Sequence, residues 1–92
     1  MDEKNVNPQF MSLVIMLASA CWQQMGKVPN PINGKIEKEL SHAHITLELI
    51  IMLRDKTKGN LTTEEAHMLD NTISDLQLNY ADESGKVTET KN

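Results

Sequence analysis

The sequence predicts an all-α protein of three helices, in which helices 2 and 3 form a helical hairpin and the bundle assembles into an oligomer. Apolar residues recur at helical spacing in three segments, capping residues bound the segments, and no segment alternates as a β-strand does. We expect a flexible N-terminus at 1–7, one helical domain at 8–81 and a disordered tail at 82–92. The three helices are expected at about 8–25, 35–58 and 62–81.

Helix 1 is predicted to begin at Asn7-Pro8 and to end before Gly26. Asparagine caps helix starts and proline suits the first helical position, whereas glycine ends helices in the left-handed conformation. Apolar residues cover about 200° of this helix, which is wider than the stripe that packs against a single neighbour. We therefore expect helix 1 to lie between two neighbours.

Helix 2 carries apolar residues on two sides. One row follows steps of four and three and is predicted to face the core: Ile36, Leu40, Ala43, Leu47 and Ile50. A second row, Ile45, Leu49 and Met52, lies on the opposite face. Helix 2 is therefore also expected to need two partners.

The segment between helices 2 and 3 contains a helix end, a turn and a helix start. Lys56 and Lys58 complement the negative end of helix 2, and Gly59 can take the left-handed conformation that closes it. Thr62 and Glu65 have the T-x-x-E spacing of a capping box. This segment predicts the hairpin.

Helix 3 has the clearest amphipathic pattern. Its apolar residues recur at steps of three and four: Ala66, Leu69, Ile73, Leu76 and Tyr80. The intervening positions are mostly polar, so we expect one face in the core and one in solvent.

Composition favours a small soluble assembly. With 92 residues and a net charge of −4, the chain has no basic segment that predicts binding to nucleic acid or to an anionic membrane. The apolar run of helix 1 is shorter than the roughly 20 residues that cross a bilayer. A single cysteine, Cys21, excludes an intramolecular disulfide and fits the cytoplasm. A core this small favours self-association.

The segments LRDKTKGNLTTEEAHMLDNTISDLQLNYA and FMSLVIMLASACWQQMGKV together resemble a bacterial family catalogued only as a domain of unknown function, number 1844. The resemblance covers about residues 10–81, and its most specific part is KTKGNLTTEE at 56–65. It implies a small all-helical bacterial protein. It implies no established activity, so no catalytic or ligand-binding residue is carried over.

No pattern in the sequence predicts a metal, a cofactor or a catalytic centre. His42 and His44 are two residues apart and so point to opposite sides of a helix, while His44 and Glu48 give only two ligands on one face. We expect His44 to pair with Glu48 or with water. Cys21 lies on an apolar helix and is expected to be a buried hydrophobe rather than a nucleophile.

One cluster suggests an anion site. Arg54, Lys56, Lys58 and Asn60 precede a helix N-terminus, where free N–H groups favour phosphate. The lysines also have a structural role at the end of helix 2, and glutamates already occupy the start of helix 3. The structural interpretation is therefore favoured over a phosphate or nucleotide site.

The sequence thus favours a non-enzymatic module for self-association or protein interaction, with a homodimer as the preferred assembly. An unidentified protein partner is an alternative, as are the anion binder and an enzyme with a site between subunits, for which no catalytic residue can be named. The predicted oligomer interface comprises Met11, Ile15, Trp22, Ile45, Leu49 and Met52.

Overall fold

Three α-helices form the fold. The computed structural model describes residues 6–90, the last five as backbone only. Helix α1 spans Pro8–Gln24, α2 spans Leu40–Lys56 and α3 spans Thr63–Thr90. No β-strand occurs within the described residues, and the predicted all-α fold is confirmed. The molecule measures 54 × 28 × 16 Å, because the 28 residues of α3 extend beyond the two shorter helices.

The core takes residues from all three helices. Its buried apolar members are Met11, Val14, Cys21, Met25, Ala43, Leu47, Ile50, Leu69, Ile73 and Leu76. The predicted inner rows of α2 and α3 are confirmed at most positions, since apolar side chains one turn apart share a helix face. Ile36 is the exception, because it precedes α2 and its side chain is exposed.

The end of α1 is a Schellman motif. Gly26 has φ 80°, and its N–H donates to the carbonyl of Gln23 at 3.0 Å. The N–H of Lys27 donates to the carbonyl of Trp22, also at 3.0 Å. These two bonds satisfy carbonyls that the last turn would otherwise leave unpaired, so the glycine ends the helix.

Helix α2 begins at Leu40, and the prediction that it begins near Lys35 is corrected. The backbone before Leu40 forms hydrogen bonds outside the helix. The N–H of Asn30 donates to the carbonyl of Lys35 at 2.8 Å, and the N–H of Glu39 donates to the carbonyl of Gln24 at 2.7 Å. Peptide groups committed to the connecting loop and to the end of α1 are unavailable for a helical ladder. Helix α2 therefore begins only after this loop, at Leu40.

Helix α3 continues to Thr90, which corrects the predicted disordered tail for the residues that the structure describes. The side chain of Glu83 is buried, and its carboxylate forms ion pairs with Lys27 at 2.9 Å and with Lys38 at 2.6 Å. Both lysines come from the α1–α2 connection. These long-range ion pairs hold the polar C-terminal part of α3 against the α1–α2 connection. The local composition of the sequence does not predict them.

The N-terminal boundary is also corrected. Val6 packs against the core and Asn7 caps α1, so these two residues belong to the domain rather than to a flexible N-terminus. The remaining residues of that predicted segment, 1–5, lie outside the described part of the chain, as do 91–92 of the predicted tail.

The α2–α3 turn depends on one glycine. Gly59 has φ 90°, and a Cβ built on it would meet no atom within 4 Å. Next to it, the N–H of Asn60 donates to the carbonyl of Thr57 at 2.8 Å. Any penalty for a side chain at this position therefore comes from the backbone conformation alone.

We expect Gly59→Val to destabilise the protein by about 1–3 kcal/mol, since a β-branched residue is forced into the left-handed region. Gly59→Asn is the matched control and should cost less, because asparagine tolerates that region. Urea unfolding followed by circular dichroism measures both. Equal midpoints for wild type and Gly59→Val would show that the turn does not need a left-handed residue.

Candidate functional site

The first candidate feature is the start of α3, where Glu65 is only 4% exposed. Its Oε1 accepts the backbone N–H of Thr62 at 2.9 Å, and its own N–H donates to Oγ1 of Thr62 at 3.1 Å. These are the two reciprocal bonds of a capping box. Two N–H groups that the first helical turn leaves without carbonyl partners are thereby satisfied.

The second oxygen of Glu65 reaches a different helix. Its Oε2 accepts the backbone N–H of Asn7 at 2.7 Å, and Oδ1 of Asn7 in turn accepts the N–H of Phe10 at 2.9 Å. One carboxylate thus joins the starts of α1 and α3. Sequence reasoning did not find this contact, because the two residues are 58 positions apart and each has a sufficient local role.

These hydrogen bonds lower the pKa of the Glu65 carboxyl below its ordinary value of 4.5. The bond from the Asn7 N–H is the largest cause, followed by that from the Thr62 N–H. Both donors favour the charged form. Because the folded-state pKa is depressed, the stabilisation is present above pH 4.5 and is lost as the pH falls through the folded-state value.

A second feature is a cavity of about 410 Å³ between the end of α2 and the start of α3. It is lined by Arg54, Asp55, Lys58, Gly59, Leu61, Ala66 and Asp70. The cavity therefore includes part of the cluster that the sequence suggested as an anion site.

The charges of this cavity are balanced. Arg54 lies 3.7 Å from a carboxylate oxygen of Asp70 and 3.6 Å from one of Asp55, so its guanidinium already has two acidic neighbours. Neither Lys56 nor Asn60 is among the lining residues. Of the four predicted residues, only Arg54 and Lys58 line this cavity. With two carboxylates in the lining, the geometry does not favour a phosphate.

The third feature is the side of α2 that faces away from the core. Ile45, Leu49 and Met52 are exposed at 57%, 43% and 42%. They lie at steps of four and three on one face of the helix, opposite the buried row. We call these three residues the outer face of α2. A groove of about 340 Å³ beside it is lined by Glu48, Ile51, Met52, Asp55 and Lys56.

The other predicted interface residues are divided between core and surface. Ile15 is exposed, whereas Trp22 is half-buried and packs against the core. Met11 is 6% exposed and lies in the protomer core, so its assignment to an interface is corrected. The sequence could not separate these residues, because apolar positions on both sides of α1 look alike without a neighbouring helix.

The histidines of α2 are paired with carboxylates. His44 lies 3.4 Å from Glu48, which was one of the two expected arrangements, and His42 lies 2.7 Å from Glu39. No group of three or more potential metal ligands occurs among the residues whose placement is described.

Cys21 is fully buried, and its thiol lies 3.5 Å from the carbonyl oxygen of Ala43. Burial raises the pKa of the thiol to about 11, because a thiolate would lose its hydration. The thiol is therefore protonated at neutral pH, which is the opposite of what an activated nucleophile requires.

At the other end of the molecule, Lys27 pairs with Glu83 and, at 3.3 Å, with Asp82. The hydrogen bond to Glu83 is the largest cause that raises the pKa of Lys27 above its ordinary value of 10.5. A raised folded-state pKa gives stabilisation that is fully present below pH 10.5 and is lost as the pH rises past the folded-state value. This cluster is structural, since it fixes α3 on the loop before α2.

The fold and these features define a small all-α protein that is built on a helical hairpin and has an exposed apolar face. Over the part of the chain that is described, no helix has the length and apolar character needed to cross a membrane. The chain belongs to the family described as "Domain of unknown function (DUF1844)", whose sequence profile matches residues 7–82. Neither a curated protein nor a solved structure matches it.

We expect Glu65→Gln to lower the urea midpoint at pH 7, because the amide loses the charge that its two backbone donors stabilise. The difference in urea midpoint between wild type and Glu65→Gln should become smaller as the pH falls below 4.5, since the wild-type carboxylate is then protonated and also loses its charge. Glu64→Gln is the matched control at the neighbouring, exposed position and should change the midpoint little. A deficit independent of pH would contradict the role given to the Glu65 charge.

Proposed function

We propose that this protein is a non-enzymatic module of the cytoplasm that forms a homodimer through the outer face of α2. The observation that supports this proposal is the row of three exposed aliphatic side chains on a helix whose opposite side is already in the core. Single exposed apolar residues are common, but a contiguous apolar row on a helix is typical of an interface.

The energetics favour covering this row. Burying apolar surface is worth about 25 cal/mol per Å², and a second helix laid along Ile45, Leu49 and Met52 would remove all three from water at once. Three side chains alone fall short of the roughly 800 Å² that each partner buries in a standard interface. We therefore include the neighbouring polar positions of α2 and the groove beside Met52 in the contact.

The surroundings of the residues that could act as a nucleophile or a base, Cys21 and the two histidines of α2, support a non-catalytic role. The Cys21 thiol is buried and protonated, and the imidazoles of His42 and His44 lie beside the carboxylates of Glu39 and Glu48. A free, buried thiol fits a reducing compartment, which is the basis for placing the protein in the cytoplasm.

The phosphate-binding alternative receives less support. In the hairpin cavity two carboxylates offset Arg54 and Lys58, and the N–H groups of Thr62 and Glu65 are already bonded within the capping box. An unidentified protein partner remains the competing occupant of the outer face, and the oligomeric state distinguishes it from a second copy.

We expect wild type to sediment as a dimer at micromolar concentration and Leu49→Glu to sediment as a monomer, because a carboxylate in the apolar contact would have to be desolvated. Leu78→Glu makes the same chemical change at an exposed position of α3 and is the matched control, so it should remain dimeric. Analytical ultracentrifugation measures all three.

The thermal midpoint should in addition rise with protein concentration for wild type and for Leu78→Glu, but not for Leu49→Glu. A monomeric wild type whose midpoint does not change on dilution would overturn the proposal and leave a different protein as the occupant of the outer face.

A further inference from the structure

We infer that the end of α3, residues 82–90, is an ionic latch that closes on the α1–α2 connection through Glu83 and opens as a unit. When the latch is open, these residues lose their helical structure, while the body of the protein stays folded. We call residues 82–90 the latch segment. The inference goes beyond the proposed dimer and does not depend on what covers the outer face of α2.

The latch segment has a sequence that forms a poor helix. It reads DESGKVTET, with Val87 as its one aliphatic residue. Gly85 lies in its middle, and glycine, serine, threonine and aspartate all have low helix propensity. Continuation from α3 removes the cost of starting a helix, but each further residue still loses conformational entropy. The helix that extends to Thr90 therefore needs contacts with the rest of the protein.

The contacts that hold the latch segment are ionic. Among the side chains described from 81 to 85, only that of Glu83 is buried, with 5% exposure. Its two oxygens contact different lysines, since Oε2 lies 2.9 Å from Nζ of Lys27 and Oε1 lies 2.6 Å from Nζ of Lys38. Asp82 adds a second carboxylate at 3.3 Å from Lys27. Residues 82–85 contain no apolar side chain, so they gain no apolar burial when the latch closes.

Glu83 holds both ends of the α1–α2 connection. Lys27 lies just after α1, and Lys38 lies just before α2. Between them the connection has hydrogen bonds of its own, including the bond from the N–H of Asn30 to the carbonyl of Lys35 at 2.8 Å. The connection can therefore keep its local structure when the latch opens, whereas the two lysines lose the carboxylate that they share.

The balance between the closed and open latch is narrow. The side chains of Lys27 and Lys38 are 25% and 39% exposed, so both ammonium groups keep part of their hydration in the closed state. Opening rehydrates the Glu83 carboxylate, which offsets much of the attraction that is lost. Dissolved ions screen the separated charges and favour the open state further. The latch segment is thus a unit of low local stability, and its transition is from order to disorder.

Carbon-13 chemical shifts of the Cα atoms report helical structure residue by residue and test the latch in the full chain. In wild type at about 20 mM NaCl, the latch segment should have helical shifts. In Glu83→Gln it should have random-coil shifts, while 63–80 stay helical and the urea midpoint changes little. Asp75→Asn removes an exposed carboxylate from α3 outside the latch and is the matched control, so its latch segment should stay helical.

The salt response of the same shifts is a second test. Raising NaCl to about 1 M should lower the ratio of closed to open latch in wild type by roughly threefold to tenfold, because salt weakens the ionic docking. The same increase should have little further effect on the latch segment of Glu83→Gln. Since salt acts on every surface charge, the loss of this response in the variant would identify Glu83 as its origin.

Gly85→Ala separates helix propensity from docking. A Cβ built on Gly85 meets no atom within 4 Å, so alanine raises helix propensity without a new contact. In the double variant Glu83→Gln with Gly85→Ala, the latch segment should regain part of its helical shifts. The backbone amides of Lys27 and Lys38 should keep the shifts that they have in Glu83→Gln, because the carboxylate that joins them is still absent.

Four results would overturn the latch. The first two are random-coil shifts in the wild-type latch segment at low salt and wild-type shifts that do not change with salt. The third is loss of helix along all of α3 in Glu83→Gln, since Glu83 would then belong to the cooperative fold. The fourth is a return of the wild-type amide shifts of Lys27 and Lys38 in the double variant. The oligomeric state is measured separately by sedimentation, so failure of the latch and failure of the dimer are distinguishable.

Discussion

The carboxylate of Glu65 accepts backbone hydrogen bonds from the residues that immediately precede two helices, Asn7 before α1 and Thr62 before α3, and the position of α1 relative to α3 depends on this contact. A helix start has N–H groups without helical partners, and here one buried side chain satisfies such a group at each of two starts. Because the N–H of Asn7 and the N–H of Thr62 share this acceptor, the N-terminal ends of α1 and α3 are held together. The hairpin turn at Gly59 sets the direction of α3, and Glu65 sets where α1 begins against it.

Local signals were sufficient for the parts of the fold that local chemistry determines. The positive φ of Gly59 and Gly26 and the rows of buried residues in α2 and α3 follow from capping preference and helical periodicity. The bond from Asn7 to Glu65 and the ion pairs of Glu83 do not, since their partners are distant in sequence. These long-range contacts explain why the predicted ends of the domain were misplaced.

The outer face of α2 could be predicted from helical periodicity, whereas the features that depend on contacts distant in sequence could not. Periodicity alone places Ile45 and its neighbours opposite the core row, and the structure leaves them exposed. It could not show that Met11 belongs to the core, because that depends on where α2 and α3 lie against α1. Nor could it show that Arg54 is held between two carboxylates. Nor could it show that α2 begins only after the loop, with Glu39 at its N-cap position.

Native-state hydrogen exchange of the Asn7 and Thr62 amides tests the central role of Glu65 most directly. Both protons are donated to one buried carboxylate, so both should be strongly protected in wild type. In Glu65→Gln, the two amides should lose protection together, while amides in the middle of α2 keep theirs. Fast exchange of the Asn7 amide in wild type, with Thr62 still protected, would contradict the account, because it would mean that the two helix starts are not joined.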